Sequence, residues 1–311
     1  MFDTGNYRPY PEMDAQAIGK RPRGYIAPAD LELGTVALQV ASLQRSLEFY
    51  RDVLGMEVRE EFEQEGRQAL RLGAPGGERV LLELVEKPGV SRARDRGRLG
   101  LYHLALLLPD RAQLGRLLLH AHAAGARFGA ADHFFSEALY FTDPDGIDVE
   151  VYADRTRDKW LVSPDGELLG TTDPLDVQGL ANAAGGERWN GMPAQTVMGH
   201  VHLYVGDVDQ AEEFYHHGLG LSRVVWSFPS ASFLAAGGYH HHVAVNTWAH
   251  GASPSGEDEA RMLRWELLLD APQAQEMAAS LHKAGFAVEE TAGGLEATDP
   301  WGITVLIRSH G

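Results

Sequence analysis

Apolar and polar residues alternate along the stretch that begins at Leu33. Thr35, Ala37 and Gln39 fall on one parity, Val36, Leu38 and Val40 on the other. A period of two predicts a strand. The period then lengthens: Leu43, Leu47 and Tyr50 share a helical face, Ser42 precedes them as an N-cap, and Gly55 is the stop. The same order returns half a chain later. LGTVALQVASLQRSLEFYRDVLGM from Leu33 is matched by MGHVHLYVGDVDQAEEFYHHGLGL from Met198, including a helix that ends in Glu-Phe-Tyr. Matches of this kind mark an internal repeat.

Each half divides again. GLYHLALLLPDRAQLGRLLLHAHAAGA, from Gly100, reads strand, turn, helix, Gly, and ALYFTDPDGIDVEVYAD reads strand, turn, strand. The second half answers with YHHHVAVNTW, RWELLLDAPQAQEMAASLHKAGF and LEATDPWGITVLIRS, so that Asp143-Pro144-Asp145-Gly146 aligns with Asp299-Pro300-Trp301-Gly302. Four modules are expected, opening near residues 33, 100, 198 and 238. One module cannot bury its own sheet, and two facing modules make a curved sheet with a concave interior suited to a ligand. The expected fold is α+β: four βαβββ modules paired into two concave half-barrel sheets. The expected segments are an arm over 1–30, punctuated by Pro9, Pro11, Pro22 and Pro28, a first two-module domain over 31–154, a linker over 155–195 and a second two-module domain over 196–311.

Composition narrows the chemistry. The 311 residues include no cysteine, which excludes thiolate ligands, disulfides and a cysteine nucleophile. Lys and Arg number 27 against 44 Asp and Glu, a net charge of −17 that repels nucleic acid and anionic membranes. No run reaches the roughly 18 apolar residues of a membrane span, and the polar start lacks the apolar core of a signal peptide. The expectation is a cytoplasmic protein, with an N-terminal arm that leaves room for a homodimer.

Histidine is abundant, at 14 residues, and the repeat gives several of them equivalent addresses. The first-strand position is Thr35, His103, His200 and His242 in modules one to four. The last-strand position, spaced from the Asp-Pro turn, is Glu150 in module two and Leu306 in module four, with Glu83 a looser match in module one. Two histidines and a carboxylate on one metal form a facial triad with open positions. Pairing of modules two and three completes such a triad from His103, Glu150 and His200. Pairing of three and four leaves His200 and His242 with only Glu296 nearby, and pairing of one and two sets His103 and Glu150 beside Thr35 and Glu83. Each candidate has a bland counterpart: His103 as a core histidine, Glu150 as an outward strand residue, His240-His241-His242 as a surface cluster. Buried acids are costly unless paired or ligated. His202, His240, His241, Tyr140 and His133 are the candidates for acid–base groups if their strands line the cavity. Trp248 and Trp301 are candidate pocket walls.

At these residues the chain resembles the vicinal-oxygen-chelate superfamily of glyoxalases, bleomycin and fosfomycin resistance proteins and extradiol dioxygenases. GLYHLALLLP, DHFFSEALYF, DPDGIDVEVYADR, PLDVQGL, GHVHLYV and AGGYHHHVAVNTW look like the two-domain bacterial catechol-2,3-dioxygenase-like subgroup. The resemblance covers about residues 33–308. It implies a metal held at His103, Glu150, His200 and His242, with Thr35 and Leu306 departing from the pattern. It implies Fe(II), with Mn(II) as the second choice, and extradiol cleavage of a catechol or hydroquinone-like ring by O₂. The His202 and His240-His241 groups would then relay protons. The alternatives are a glyoxalase-like isomerase or lyase using Zn or Ni, and a metal-free binding or resistance protein.

Overall fold

The computed structural model describes residues 6–10 and 17–309. Parts of the expected arm, 1–5 and 11–16 with Pro11, lie outside the described residues. The chain opens with β1 (Arg8–Pro9). The first module follows: β2 (Glu32–Val40), α1 (Leu43–Tyr50), β3 (Glu57–Gln64), β4 (Arg67–Gly73) and β5 (Leu82–Glu86). The second has β6 (Gly100–Leu108), α2 (Arg111–Ala123), β7 (Gly129–Asp132), β8 (Ser136–Thr142) and β9 (Asp148–Asp154). The connection holds a 3₁₀ turn (Arg157–Lys159), β10 (Leu161–Val162), which pairs with β1, and α3 (Val177–Ala183). The third module has β11 (Val197–Tyr204), α4 (Val208–Glu212) running into a π-helical turn (Glu213–Gly218), β12 (Ser222–Val225), β13 (Ala231–Ala235) and β14 (Val243–Asn246). The fourth has β15 (Arg261–Leu269), α5 (Ala271–Lys283), β16 (Val288–Thr291), β17 (Gly294–Thr298) and β18 (Thr304–Ser309).

The fold is thus α+β with duplicated βαβββ-like modules and mixed sheets. In every module the last strand lies parallel beside the first, and the first strands of two modules join antiparallel. One eight-stranded sheet runs β12-β13-β14-β11-β6-β9-β8-β7, the other β16-β17-β18-β15-β2-β5-β4-β3. Module two is therefore joined to module three, and module one to module four. Each sheet takes four strands from each half of the chain.

One expectation is corrected. The fourth module opens at Arg261, not near 238. YHHHVAVNTW carries β14, the closing strand of module three, because that strand hydrogen-bonds parallel to β11, with Val201 paired to Val243.

The alternation along each strand has a clear division of labour. Val36 and Leu38, Leu104 and Leu106, Val149 and Val151, Val201 and Leu203, and Trp265 and Leu267 are fully buried and belong to one continuous core that spans both sheets. At about 25 cal/mol per Å² of buried apolar surface, this core is the main driving force for the fold. The opposite parity is then free for chemistry.

Two sequence motifs turn out to be partners. The Tyr50 hydroxyl, from the first Glu-Phe-Tyr, donates to Asp143 Oδ2 at 3.1 Å in the Asp-Pro-Asp-Gly turn. Tyr215, from the second, donates to Asp299 Oδ2 at 3.0 Å in the matching turn. Each aspartate also accepts backbone N–H groups through Oδ1, from Asp145 and Ile147 in one turn and from Trp301 and Ile303 in the other. Ser42 caps α1 as its spacing indicates, accepting from the Arg45 N–H.

Candidate metal centre

Three neighbouring strands build the site. On β6, Ala105 is flanked by His200 of β11 on one side and Glu150 of β9 on the other. His103 lies two residues before Ala105 and so shares its face. The small Ala105 side chain leaves room above it, and the two imidazoles and the carboxylate converge there. His103 Nε2 is 3.0 Å and His200 Nε2 3.2 Å from Glu150 Oε2. All three residues are buried, Glu150 to 2% exposure. One ligand atom from each lies within 4.8 Å of the others.

This cluster fits a divalent metal better than a plain hydrogen-bond network. The Nδ1 atoms of His103 and His200 have no hydrogen-bond partner, and His103 Nε2, though 3.0 Å from Glu150 Oε2, is not aligned for a hydrogen bond to it. Buried polar atoms left unpaired are costly and uncommon. Burial pulls His200 down to about 4. Burial pushes the Glu150 carboxyl up, but the imidazoles of His200 and His103 outweigh it and hold the group well below the usual carboxylate range. Neutral imidazole and ionised carboxylate are the states in which these side chains ligate metals.

A cavity of about 360 Å³ opens over the cluster, lined in part by His103, Glu150, His133, Tyr140, His202, His241 and Trp248. Hydrogen bonds define the ring states around it. His133 Nδ1 lies 2.7 Å from the Thr171 carbonyl and must donate to it, so His133 Nε2 accepts the Tyr140 hydroxyl at 2.6 Å. Asn246 Oδ1 accepts the Trp248 N–H, so Asn246 Nδ2 donates to His202 Nε2 at 2.9 Å. Asp154 Oδ1 accepts from His240 Nε2 at 2.9 Å. His240 Nδ1 is then the acceptor for His241 Nδ1–H at 2.7 Å. That chain leaves His241 Nε2 without a proton. Burial holds His202 and His241 well below the usual imidazole value.

His242 is not part of the three-residue cluster. Its Nδ1 accepts the Ala236 N–H at 3.2 Å, and it faces a separate cavity of about 190 Å³ with Tyr239 and Met198. His240 is fully buried, stacked on Phe135 with centroids 4.4 Å apart. Trp301 packs against Gly206 rather than lining the main cavity.

The second sheet carries the same register with different residues. Arg264, Ala37 and Glu83 stand in line as His200, Ala105 and Glu150 do. Thr35 takes the place of His103, and the last-strand positions of modules three and four are Ala244 and Leu306. Glu83 is bound by Arg264 at 2.8 Å and Arg71 at 3.4 Å. A guanidinium supplies the positive charge there. Glu296 lies on β17 opposite Leu306, also in this second sheet.

Several contributors were not singled out by the sequence: Asp154, Asn246, Thr171, Tyr102, Phe228 and Phe233. Asn246 had a visible signal, closing the same alternating run as the histidines. Thr171 comes from the linker, whose irregular pattern carried none.

The model of the Glyoxalase/Bleomycin resistance protein/Dioxygenase superfamily matches residues 32–151 and 197–307, and the chain belongs to that superfamily. Among its relatives is a catechol-2,3-dioxygenase of Bacillus subtilis (strain 168), 40% identical over 274 residues, 87% of this chain and 94% of the relative. A putative dioxygenase from Bacillus subtilis subsp. subtilis str. 168 shares the fold at a TM-score of 0.61 and 15% identity, covering 92% of this chain and 86% of that one. Glyoxalase I from Zea mays does so at 0.54 and 15%, covering 89% and 92%.

Proposed function

We propose that this chain is a metal-dependent, extradiol-type dioxygenase that opens the ring of an aromatic diol with O₂. The observation that carries the reading is the His103–Glu150–His200 cluster on the floor of an aromatic-walled cavity, in a chain so similar to a catechol-2,3-dioxygenase. His103, Glu150 and His200 are the ligands in this reading. His242 is left out because its Nδ1 is engaged by backbone and it faces the other cavity. The donor set favours Fe(II), with Mn(II) next. When bound, such an ion supplies Lewis acidity and open positions for the diol oxygens and O₂.

The remaining work falls to side chains. His241 takes a hydroxyl proton at Nε2, the end left bare by the Asp154–His240 chain. His202, held through Nε2 by Asn246, keeps its proton on Nδ1 and orients polar atoms near the floor. Tyr140 holds a proton that it shares with His133 Nε2. The aromatic wall excludes water, which strengthens these hydrogen bonds. In this reading both sheets curl into half-barrels, with the cavity in the concave face of the one that holds the cluster.

The test is metal content and oxygen uptake together. The native chain is expected to hold one equivalent of iron or manganese and to consume O₂ with catechol. Glu150→Gln is expected to lose the metal and the uptake, and Glu296→Gln to keep both. Stoichiometric metal in folded Glu150→Gln would overturn the ligand assignment. Turnover of a glyoxalase-type substrate without oxygen would favour the isomerase class instead.

A further inference from the structure

The cavity's walls differ from its floor in a way that bears on what the site admits. His103, Glu150, His202 and His241 bring polar atoms to the metal cluster at the floor. The other polar groups of the lining, His133, Tyr140, Ser136, Thr171 and Thr172, are uncharged hydroxyls or a ring already bonded to a carbonyl and a hydroxyl. Above the cluster stands a tier of rings. Trp248 lies 5.5 Å from His202, 5.7 Å from Tyr102 and 6.2 Å from Phe228, and Phe233 lies 5.8 Å from Phe228, between ring centroids. Phe228, Phe233 and Trp248 are each half-buried, so each ring keeps part of its surface open. Among the described residues neither lysine nor arginine lines the cavity, and Glu150 is the one carboxylate that does. Arg155, in the neighbouring connection, is already held by Asp132 at 2.6 Å and Glu137 at 3.4 Å.

Size and charge then point the same way. At about 360 Å³ the cavity lies within the roughly 300–1,000 Å³ range of pockets that enclose drug-sized ligands. A bare dihydroxybenzene with its oxygens on the floor would leave the ring tier partly unfilled. An apolar substituent would fill it and displace water from aromatic surface. A carboxylate there would be buried against rings with no cation to pair with, which is strongly unfavourable. The net charge of −17 also opposes the approach of anions.

Building on the dioxygenase reading above, we propose that this site selects uncharged aromatic diols carrying an apolar substituent and rejects diols carrying a carboxylate. Trp248, Phe228 and Phe233 are the selecting residues.

The probes are catechol, propylcatechol and protocatechuate, a dihydroxybenzoate. The metal-loaded protein is assayed by oxygen uptake, and binding is followed without oxygen through quenching of tryptophan fluorescence. In both readouts propylcatechol is expected to exceed catechol by about 10-fold and protocatechuate by about 100-fold or more. Trp248→Ala is expected to erase most of the preference for the propyl group. Phe228→Arg is expected to raise protocatechuate relative to propylcatechol by about 10-fold. Catechol turnover with protocatechuate equal to or better than propylcatechol would overturn the selection and leave the dioxygenase reading standing. Oxygen uptake with none of the three, in protein shown to hold its metal, would overturn the dioxygenase reading itself. If propylcatechol then still bound more tightly than protocatechuate, the selection would survive that failure.

Discussion

The site turns on single atoms whose neighbours leave them little freedom. His241 is the clearest case: its tautomer is set two residues away, by Asp154 acting through His240. His240→Phe keeps a ring stacked on Phe135 but removes the acceptor for His241 Nδ1–H. The expected result is a fall in kcat of roughly 100-fold with metal content unchanged, since general-base contributions commonly have that size. An unaltered kcat would remove His241 from the proton path. Gly199 is another such point. A Cβ there would sit 2.0 Å from the Tyr152 hydroxyl, whose ring packs against His200, so the position tolerates no side chain without moving a neighbour of the cluster. Much of this scale was readable in advance. The parity of Asp148, Glu150 and Tyr152 against Val149 and Val151 left two orientations open, and burial of the valines in the core selects the one that turns Glu150 inward. That the Thr171 carbonyl accepts from His133 and Asn246 donates to His202 was not readable, because which partner a side chain meets depends on strands distant in sequence.

At the scale of elements, the repeat was legible and its last boundary was not. YHHHVAVNTW and a genuine first strand share the same alternation and length, and only hydrogen bonding to β11 distinguishes a closing strand from an opening one. The two Asp-Pro turns give a stability prediction. Burial is the main cause that pushes both Asp143 and Asp299 up to about 6. A carboxyl raised on folding favours the protonated native chain. Its contribution is complete below the unfolded value, about 3.9, and is lost as pH climbs through about 6. Each group is worth about 3 kcal/mol by this linkage. The double variant Asp143→Asn, Asp299→Asn mimics the protonated forms. Between pH 5 and pH 7.5 its melting temperature is expected to fall less than that of the native chain. Parallel profiles for the two proteins would show that the turns do not titrate in this range.

For the whole molecule, the sequence left three module pairings open, and the strand order selects two with three and one with four. That choice depends on β6 meeting β11 and β2 meeting β15, contacts between distant stretches that no local periodicity encodes. The segment expected as a linker is well packed: Trp160 is buried in a cluster with Phe135 and Val225, and α3 packs so closely on α2 that Gly115 has no room for a Cβ. Among the described residues no helix is long and apolar enough to cross a membrane.

The Tyr50–Asp143 and Tyr215–Asp299 bonds acquire a wider meaning once the sheets are considered with them. These bonds tie module one to two and three to four, while the sheets tie two to three and four to one. The four modules form a closed ring of dependence in which each has two different neighbours and none is terminal. Heating is therefore expected to give one calorimetric transition, with no half melting alone. Residues 1–154 and 196–311 made separately are each expected to be unfolded or aggregated, and to regain structure when mixed with the connection supplied on either piece. Two resolved transitions, or one half folding by itself, would break the ring.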